Sequence, residues 1–443
     1  MVVANVKIIE ELKLFLDIVS CNPEIKSVFT QSPADFTRNR KLTIERVVGL
    51  IINLPKRTLS AEIQDFFDLI GQSSETATKG AFCLQRAKLN HCFFSVWNTW
   101  LVKNFYQYYG AKVKRWRGFR LLAVDGSTAY LLNNKEVIEH FGTQDNQRGR
   151  VPMARVFQVY DVLNKMIVFG GIHPIKESER KLLINEIDRL YDDSLIICDR
   201  GFPSYSLIYL LNNHERPRNF IMRCSVTFNR NVKAFLSSKK RSQVVEINPS
   251  KEAIEQMKQE GYHITTTTTI KVRMVKVKLS TGKTEVLLTN LYDEKKYTIA
   301  DLAHLYKLRW GIETGYGSQK NQLQMEQFSG HKVICIRQDF GAMIFVKNLQ
   351  SLIEKQSDEY LEQITTERKY QYKINHNVGL ASLKNNIVKL FLENDPENLL
   401  LKLQKMFERN IEPIRPGRHN PRIKKARRLN GKYQTFTNYK RAI

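Results

Sequence analysis

The chain has 443 residues and a mass of 51.7 kDa, which suits about three domains at roughly 100–200 residues each. Lys and Arg number 70 against 44 Asp and Glu, a formal charge of +26 that calls for a polyanionic partner and points to nucleic acid. A hydrophobic content of 42% with only 21 Gly and 12 Pro excludes wholesale disorder and fibrous repeats.

No run of about 18 apolar residues marks a membrane span. The start, MVVANVKIIEELKLFL, carries acids where an export signal would be basic and then apolar, so a soluble cytoplasmic protein is expected. The cysteines Cys21, Cys83, Cys92, Cys198, Cys224 and Cys335 show neither CxxC spacing nor a zinc-type His partner, and read as reduced core thiols.

Residues 1 to about 112 carry apolar positions at three- and four-residue spacing and are predicted helical. Ser32-Pro33-Ala34-Asp35 reads as a capped helix start, as do Thr43 before IERVVGLIINL and Thr78 before KGAFCLQRAKL. The last segment carries Lys79, Arg86 and Lys88. It reads either as a helix-turn-helix-like DNA reader or as the solvated basic face of an ordinary bundle.

From about residue 118 the texture changes to β-branched and apolar runs. FRLLAVDGSTAYLL, ARVFQVYDVL and KMIVFGGIHP predict a three-strand meander, ESERKLLINEIDRLYDD an amphipathic helix, and SLIICDRG a short buried strand. Residues 225 to about 297 are predicted strand-rich, with HITTTTTIKVRMVKVKLS and KTEVLLTNL joined at Ser280-Thr281-Gly282 as a hairpin. Helices are predicted over 298–327, 338–355 and 377–407. From Ile414 to Ile443 ten Lys or Arg stand with no acid, which reads as a solvated tail or a phosphate-binding arm.

Asp125 in LLAVDGST and Asp199 in IICDRGF each end an apolar strand just before a glycine turn. Alone, each is an ordinary turn or capping Asp. Together at the ends of neighbouring strands they bring two carboxylates within reach of one cation. The third oxygen ligand is Glu313 in HLYKLRWGIETGYGSQKNQLQ. On a helix turning about 100° per residue, Tyr306, Arg309, Glu313 and Lys320 share one stripe roughly 60° wide. The plainer reading is an exposed Arg309–Glu313 pair at four-residue spacing. Gly311, Gly315 and Gly317 weaken the helix, each by roughly 1 kcal/mol against Ala, so either packing braces it or something approaches its backbone.

These pieces resemble the catalytic core of the DDE transposases of bacterial insertion sequences, the insertion-sequence-four group. The likeness runs over most of the chain, through the two aspartates, the spaced Tyr-x2-Arg-x3-Glu-x6-Lys signature, and the flanking FTRNRKL, VYDVLNKMI, FSG and RQDF. It implies an α/β, ribonuclease-H-like mixed sheet at 113–224 and 298–355, interrupted by a β-rich insertion at 225–297. A helical DNA-binding domain at 1–112 and a helical carboxy-terminal region at 356–443 would flank it.

By the same resemblance Asp125, Asp199 and Glu313 would hold two Mg²⁺ or Mn²⁺ ions for DNA end cleavage and strand transfer, in a nucleoid-associated homodimer on DNA. Tyr306, Arg309 and Lys320 would grip phosphates, with Arg200 a weaker candidate. Some members pass through a DNA hairpin and stack a flipped base on an aromatic of the insertion. The tryptophans here are Trp97, Trp100, Trp116 and Trp310, none in 225–297, which leaves Phe228, Phe235 and Tyr262 as candidates. The alternatives are a nuclease on the same fold and a non-catalytic DNA-binding protein.

Overall fold

The apolar and alternating segments of this chain become neighbouring strands because each buries at least one face, and the rest of the architecture is arranged around them. The computed structural model describes residues 2–415, apart from 39, 147–148, 279–281, 367, 385 and 393–394, together with 427–429 and 432–434. Most of the basic segment 414–443 lies outside the described residues.

Six helices come first: α1 (Val2–Cys21), α2 (Pro23–Phe29), α3 (Ile44–Ile52), α4 (Leu59–Leu69), α5 (Lys79–Arg86) and α6 (Cys92–Tyr109). Thr43 and Thr78 cap α3 and α5, their hydroxyls accepting from Arg46 N and Ala81 N as the sequence predicts. Ser32-Pro33-Ala34-Asp35 instead forms a turn. The Asp35 carboxylate accepts from Ser32 N at 3.0 Å and the Asp35 N–H bonds back to the Ser32 carbonyl, so no helix propagates.

The middle of the chain runs β1 (Arg120–Tyr130), α7 (Lys135–Phe141), β2 (Thr143–Asn146), β3 (Gly149–Asp161), β4 (Met166–Pro174), α8 (Glu179–Glu186), β5 (Ser194–Cys198), α9 (Tyr205–Asn213) and β6 (Asn219–Cys224). It continues as α10 (Arg230–Ser237), β7 (Ser242–Ile247), α11 (Lys251–Gln259), β8 (Ile270–Lys278), β9 (Thr284–Thr289), α12 (Ile299–Leu308), α13 (Trp310–Asn321) and α14 (Val333–Glu354). The carboxy-terminal part contributes α15 (Asp358–Thr366), β10 (Gln371–Ile374), α16 (His376–Lys384), α17 (Ile387–Leu392), α18 (Pro396–Arg409) and β11 (Ile411–Ile414), with β10 and β11 paired antiparallel.

The fold is mixed α/β. One nine-stranded sheet runs β2-β3-β1-β5-β6-β9-β8-β7, with β4 also on β3. β1, β5 and β6 are parallel and the other pairings antiparallel. The meander β1, β3, β4 is as predicted, and β5 is the fully buried strand expected of SLIIC. The hairpin of β8 and β9 also forms, but the threonine run is not its first strand. Thr265 to Thr268 make a turn, with Thr265 N donating to Thr268 Oγ1 at 3.0 Å, and β8 starts only at Ile270. Because β9 pairs with β6, strands β7 to β9 extend the central sheet.

Alternation sorts the side chains to two faces. Leu122, Val124, Ile196, Cys198, Phe220 and Met222 pack under α8 to α11. Leu121, Leu195, Ile197, Ile221 and Leu287 pack under α12. The fully buried Arg273 donates to the carbonyls of Leu291 and Tyr297 at 3.1 and 2.8 Å, which fixes the segment leading into α12.

A third core joins the helical ends of the chain. α14 crosses α6 at Gly341, where an added Cβ would stand 2.8 Å from Phe94 Cβ, and Trp97 stacks on Phe345 with ring centroids 3.9 Å apart. Arg86, read from sequence as a surface cation on either a DNA-facing or a solvated basic face, is buried here. It pairs with Asp339 at 2.7 Å and also donates to Ser329 Oγ and Gln338 Oε1, tying α5 to α14. Of the cysteines, Cys198 and Cys224 are core thiols, but Cys21 and Cys83 are exposed; all are free. Among the described residues no helix is long and apolar enough to cross a membrane.

Removing Arg86 strands a buried carboxylate. Arg86→Ala should lower unfolding stability by about 3–5 kcal/mol, whereas replacing Arg86 and Asp339 together by apolar residues of similar volume should cost less. Urea unfolding of both variants checks this; equal losses would contradict the pairing.

Candidate active site at the ends of the parallel strands

β1 and β5 pair in register from Arg120↔Ser194 to Val124↔Cys198, and β5 and β6 from Leu195↔Asn219 to Cys198↔Met222. The next tier is therefore Asp125, Asp199 and Arg223, side by side where the parallel pairing stops. Asp199 lies at the end of its strand as predicted. Asp125 does not: β1 continues to Tyr130 against β3, so Asp125 sits in mid-strand opposite Gln158 and has lost only its β5 neighbour. It faces the side covered by α12 and α13, as Leu121 and Ile197 do.

The tyrosine and lysine signature does not lie on one helix. α12 ends at Leu308 and α13 begins at Trp310, with Arg309 closing one and opening the other. α13 is seated on the sheet by two contacts. The Tyr316 hydroxyl donates to the Asp125 carbonyl at 2.8 Å, and the buried amides of Gln158 and Gln319 bond reciprocally at 2.7 and 3.0 Å. Glu313 thereby comes to share Arg309 with Asp125.

Arg309 stands between the two carboxylates. Its Nη2 donates to Glu313 Oε1 at 2.7 Å and its Nη1 lies 3.7 Å from Asp125 Oδ2. The residue is only 5% exposed, its Nε has no partner, and neither does the buried hydroxyl of Tyr306. Two buried donors without acceptors on one side of the carboxylates make a pocket suited to an oxyanion. Arg223, paired with Glu285 at 2.5 Å, adds a third donor group near Tyr306.

Asp199 accepts from Gly201 N at 2.8 Å, and Asp125 Oδ1 from Gly126 N at 2.9 Å. Burial pushes the Asp125 carboxyl up to about 6, with Arg309 and the Gly126 N–H opposing and the neighbouring Asp199 and Glu179 charges assisting. Burial likewise raises Tyr306. The oxygen donor set suits a hard divalent cation. Among the described residues, however, no group of three acidic, His or Cys side chains closes on one point, and Arg309 fills the space between Asp125 and Glu313.

The remaining expected residues are dispersed. Lys320 is half-buried, and burial lowers its pKa against the opposing charge of Glu326, whose carboxylate accepts from Tyr130 N at 3.1 Å. Arg200 is exposed beside Asp199. An added Cβ at Gly311 would stand 3.7 Å from Tyr160 and Val162, ordinary contact, while at Gly315 and Gly317 it would face open space. Of the aromatic candidates in 225–297, Phe235 is 2% exposed and belongs to the core, Phe228 packs against that core, and Tyr262 is exposed. Trp310 is the exposed aromatic on α13, 59% accessible with the Arg309 guanidinium 5.5 Å from its ring.

Sequence reasoning missed Arg223 and Glu179. Arg223 carries a signal only in hindsight, one residue past a buried apolar strand run, like Asp199. Glu179 carries none.

Residues 116–349, more than half of the chain, match the family described as transposase DDE domain. The transposase InsG for insertion sequence element IS4 of Escherichia coli K12 is 22% identical over 240 residues, covering 53% of this chain. The chain spans about half of that relative's length, 52%. A cryo-EM structure of the piggyBac transposase synaptic complex with hairpin DNA superposes with a TM-score of 0.42 at 12% identity, covering 90% of this chain and 81% of the other.

A raised carboxyl pKa has a testable sign. Neutral Asp125 favours the fold below about pH 4, and that contribution is lost as pH rises through about 6. In metal-free buffer Asp125→Asn should therefore melt above wild type at about pH 7.5, with the gap closing by about pH 4. Thermal melting at both pH values decides; a constant gap would speak against a buried, reluctantly ionised carboxyl.

Proposed function

Since the chain belongs to the transposase DDE domain family, we propose that it is an insertion-sequence transposase on a ribonuclease-H-like core, cleaving the ends of its element and joining them to target DNA. The convergence of Asp125 and Glu313 on Arg309, with Asp199 on the adjacent strand, supports this reading most directly. Three carboxylates beside the Tyr306 hydroxyl and the Arg309 Nε, both without acceptors, are what phosphoryl transfer on a polyanion needs: acids to hold cations and donors to hold the phosphate.

Asp125, Asp199 and Glu313 would hold Mg²⁺ or Mn²⁺, which when bound activates the attacking oxygen and stabilises the leaving one. Arg309 and Tyr306 would take the scissile phosphate or its neighbour, and Arg309's fork suits a phosphate as well as it suits Glu313. Arg223 extends this donor row along the strand ends. Lys320 and Arg200 would meet flanking phosphates further out, and the open backbone at Gly315 and Gly317 leaves room for DNA against α13.

The 1–112 region would bind the element end. A groove of about 1000 Å³ between α3 and α5, lined by Arg40, Lys41, Arg46 and Lys88, has the charge for it. Joining two ends requires two active sites, hence a homodimer on DNA.

The decisive test is strand cleavage of a duplex carrying the flanking element end, with Mg²⁺ or Mn²⁺, by wild type and by Glu313→Gln. We expect metal-dependent cutting at the end and a loss of roughly 1000-fold or more in the variant, with DNA affinity retained. Equal cutting by both proteins would reject the three-carboxylate site. Binding without cutting would favour a DNA-binding protein.

A further inference from the structure

Behind Asp125, on the opposite face of β1, a second charged pair occupies a place that a side chain would normally fill. An added Cβ at Gly126 would fall 2.0 Å from Glu179 Oε1 and 2.1 Å from its Cδ. Glu179 is the first residue of α8, and its carboxylate accepts from Arg155 Nη1 at 2.7 Å. Arg155 stands on β3 opposite Thr128, on the face toward which Gly126 would project a side chain. It also donates to the Ile175 carbonyl at 3.4 Å. This is the point where β5 has ended, so β1 is held by β3 on one side only.

We propose that Glu179, through its ion pair with Arg155, is a positioning residue for Asp125: it fills the slot left by Gly126 and pins the Asp125–Gly126 backbone from behind. The Gly126 N–H that accompanies the Asp125 carboxylate at 2.9 Å is thereby fixed, as is the Asp125 carbonyl that receives Tyr316. The device supplies the lateral support that strand pairing withdraws at this tier. It rests on the transposase reading for its kinetic readout, and it assigns Glu179 no contact with DNA.

The geometry makes a coupled prediction. Gly126→Ala displaces the Glu179 carboxylate, so it should slow end cleavage roughly 10- to 100-fold, and Glu179→Ala should do the same. In the Glu179→Ala background the slot is vacant, so adding Gly126→Ala should change cleavage less than about twofold. Glu179→Gln, which keeps the length and an acceptor for Arg155, should stay within about threefold of wild type.

Metal-free melting should follow the same pattern, with Gly126→Ala lowering the melting temperature only when Glu179 is present. The Mn²⁺ concentration for half-maximal cleavage should rise in both single Ala variants while DNA affinity holds. Unchanged cleavage by Gly126→Ala, or equal slowing in both backgrounds, would overturn the proposal while leaving the transposase reading intact. Wild type that binds the end but never cuts it would instead overturn both.

Discussion

The register between β1, β5 and β6 is the constraint on which the site depends. Once Val124, Cys198 and Met222 are level, the next residue on each strand leaves the parallel ladder at the same height. Slipping any strand by one residue would turn its polar end group into the opposite core and an apolar side chain toward Arg309 and Tyr306. The apolar tiers below, from Leu121 to Val124 and from Leu195 to Cys198, make such a slip prohibitive because both faces are buried. Chemistry at the strand ends thus borrows its precision from packing beneath it.

The electrostatics invert the character of the whole molecule. A chain with 26 excess positive charges gathers Asp125, Asp199 and Glu313 here and sets the Arg309 guanidinium, 5% exposed, between Asp125 and Glu313. Burial makes ionising Asp125 costly, Arg309 offsets part of that cost, and a bound cation would offset more. The acids at the strand ends thus stand out against a chain whose overall balance is strongly basic.

Much of this was legible in the sequence, for identifiable reasons. Asp125 and Asp199 stand out because each interrupts an uninterrupted apolar run, and fully buried strands leave such runs. Glu313 and Arg309 were legible from spacing, which survives the junction between α12 and α13 because Arg309 keeps helical dihedrals at the break. Long-range partners were not legible. Arg86 looked like a surface cation because nothing local reveals that Asp339, 253 residues away, is its partner. The threonines were β-branched enough for a strand, yet their hydroxyls bond one another and the local backbone in a turn. Glu179 acts across the sheet on a glycine, and a glycine followed by serine reads as a turn until the opposite face is seen.

The packing of α14 also decides how the chain can be divided. One side of this helix meets β4, and another meets α3 and α6, so the amino-terminal helices and the central sheet share a single core through it. Cutting the chain near residue 112 would not release a free-standing sheet domain, since it would lay bare Phe340, Phe345 and Leu349 to water. The distance from the groove beside α5 to Asp125 is consequently built in, like the arm of a caliper.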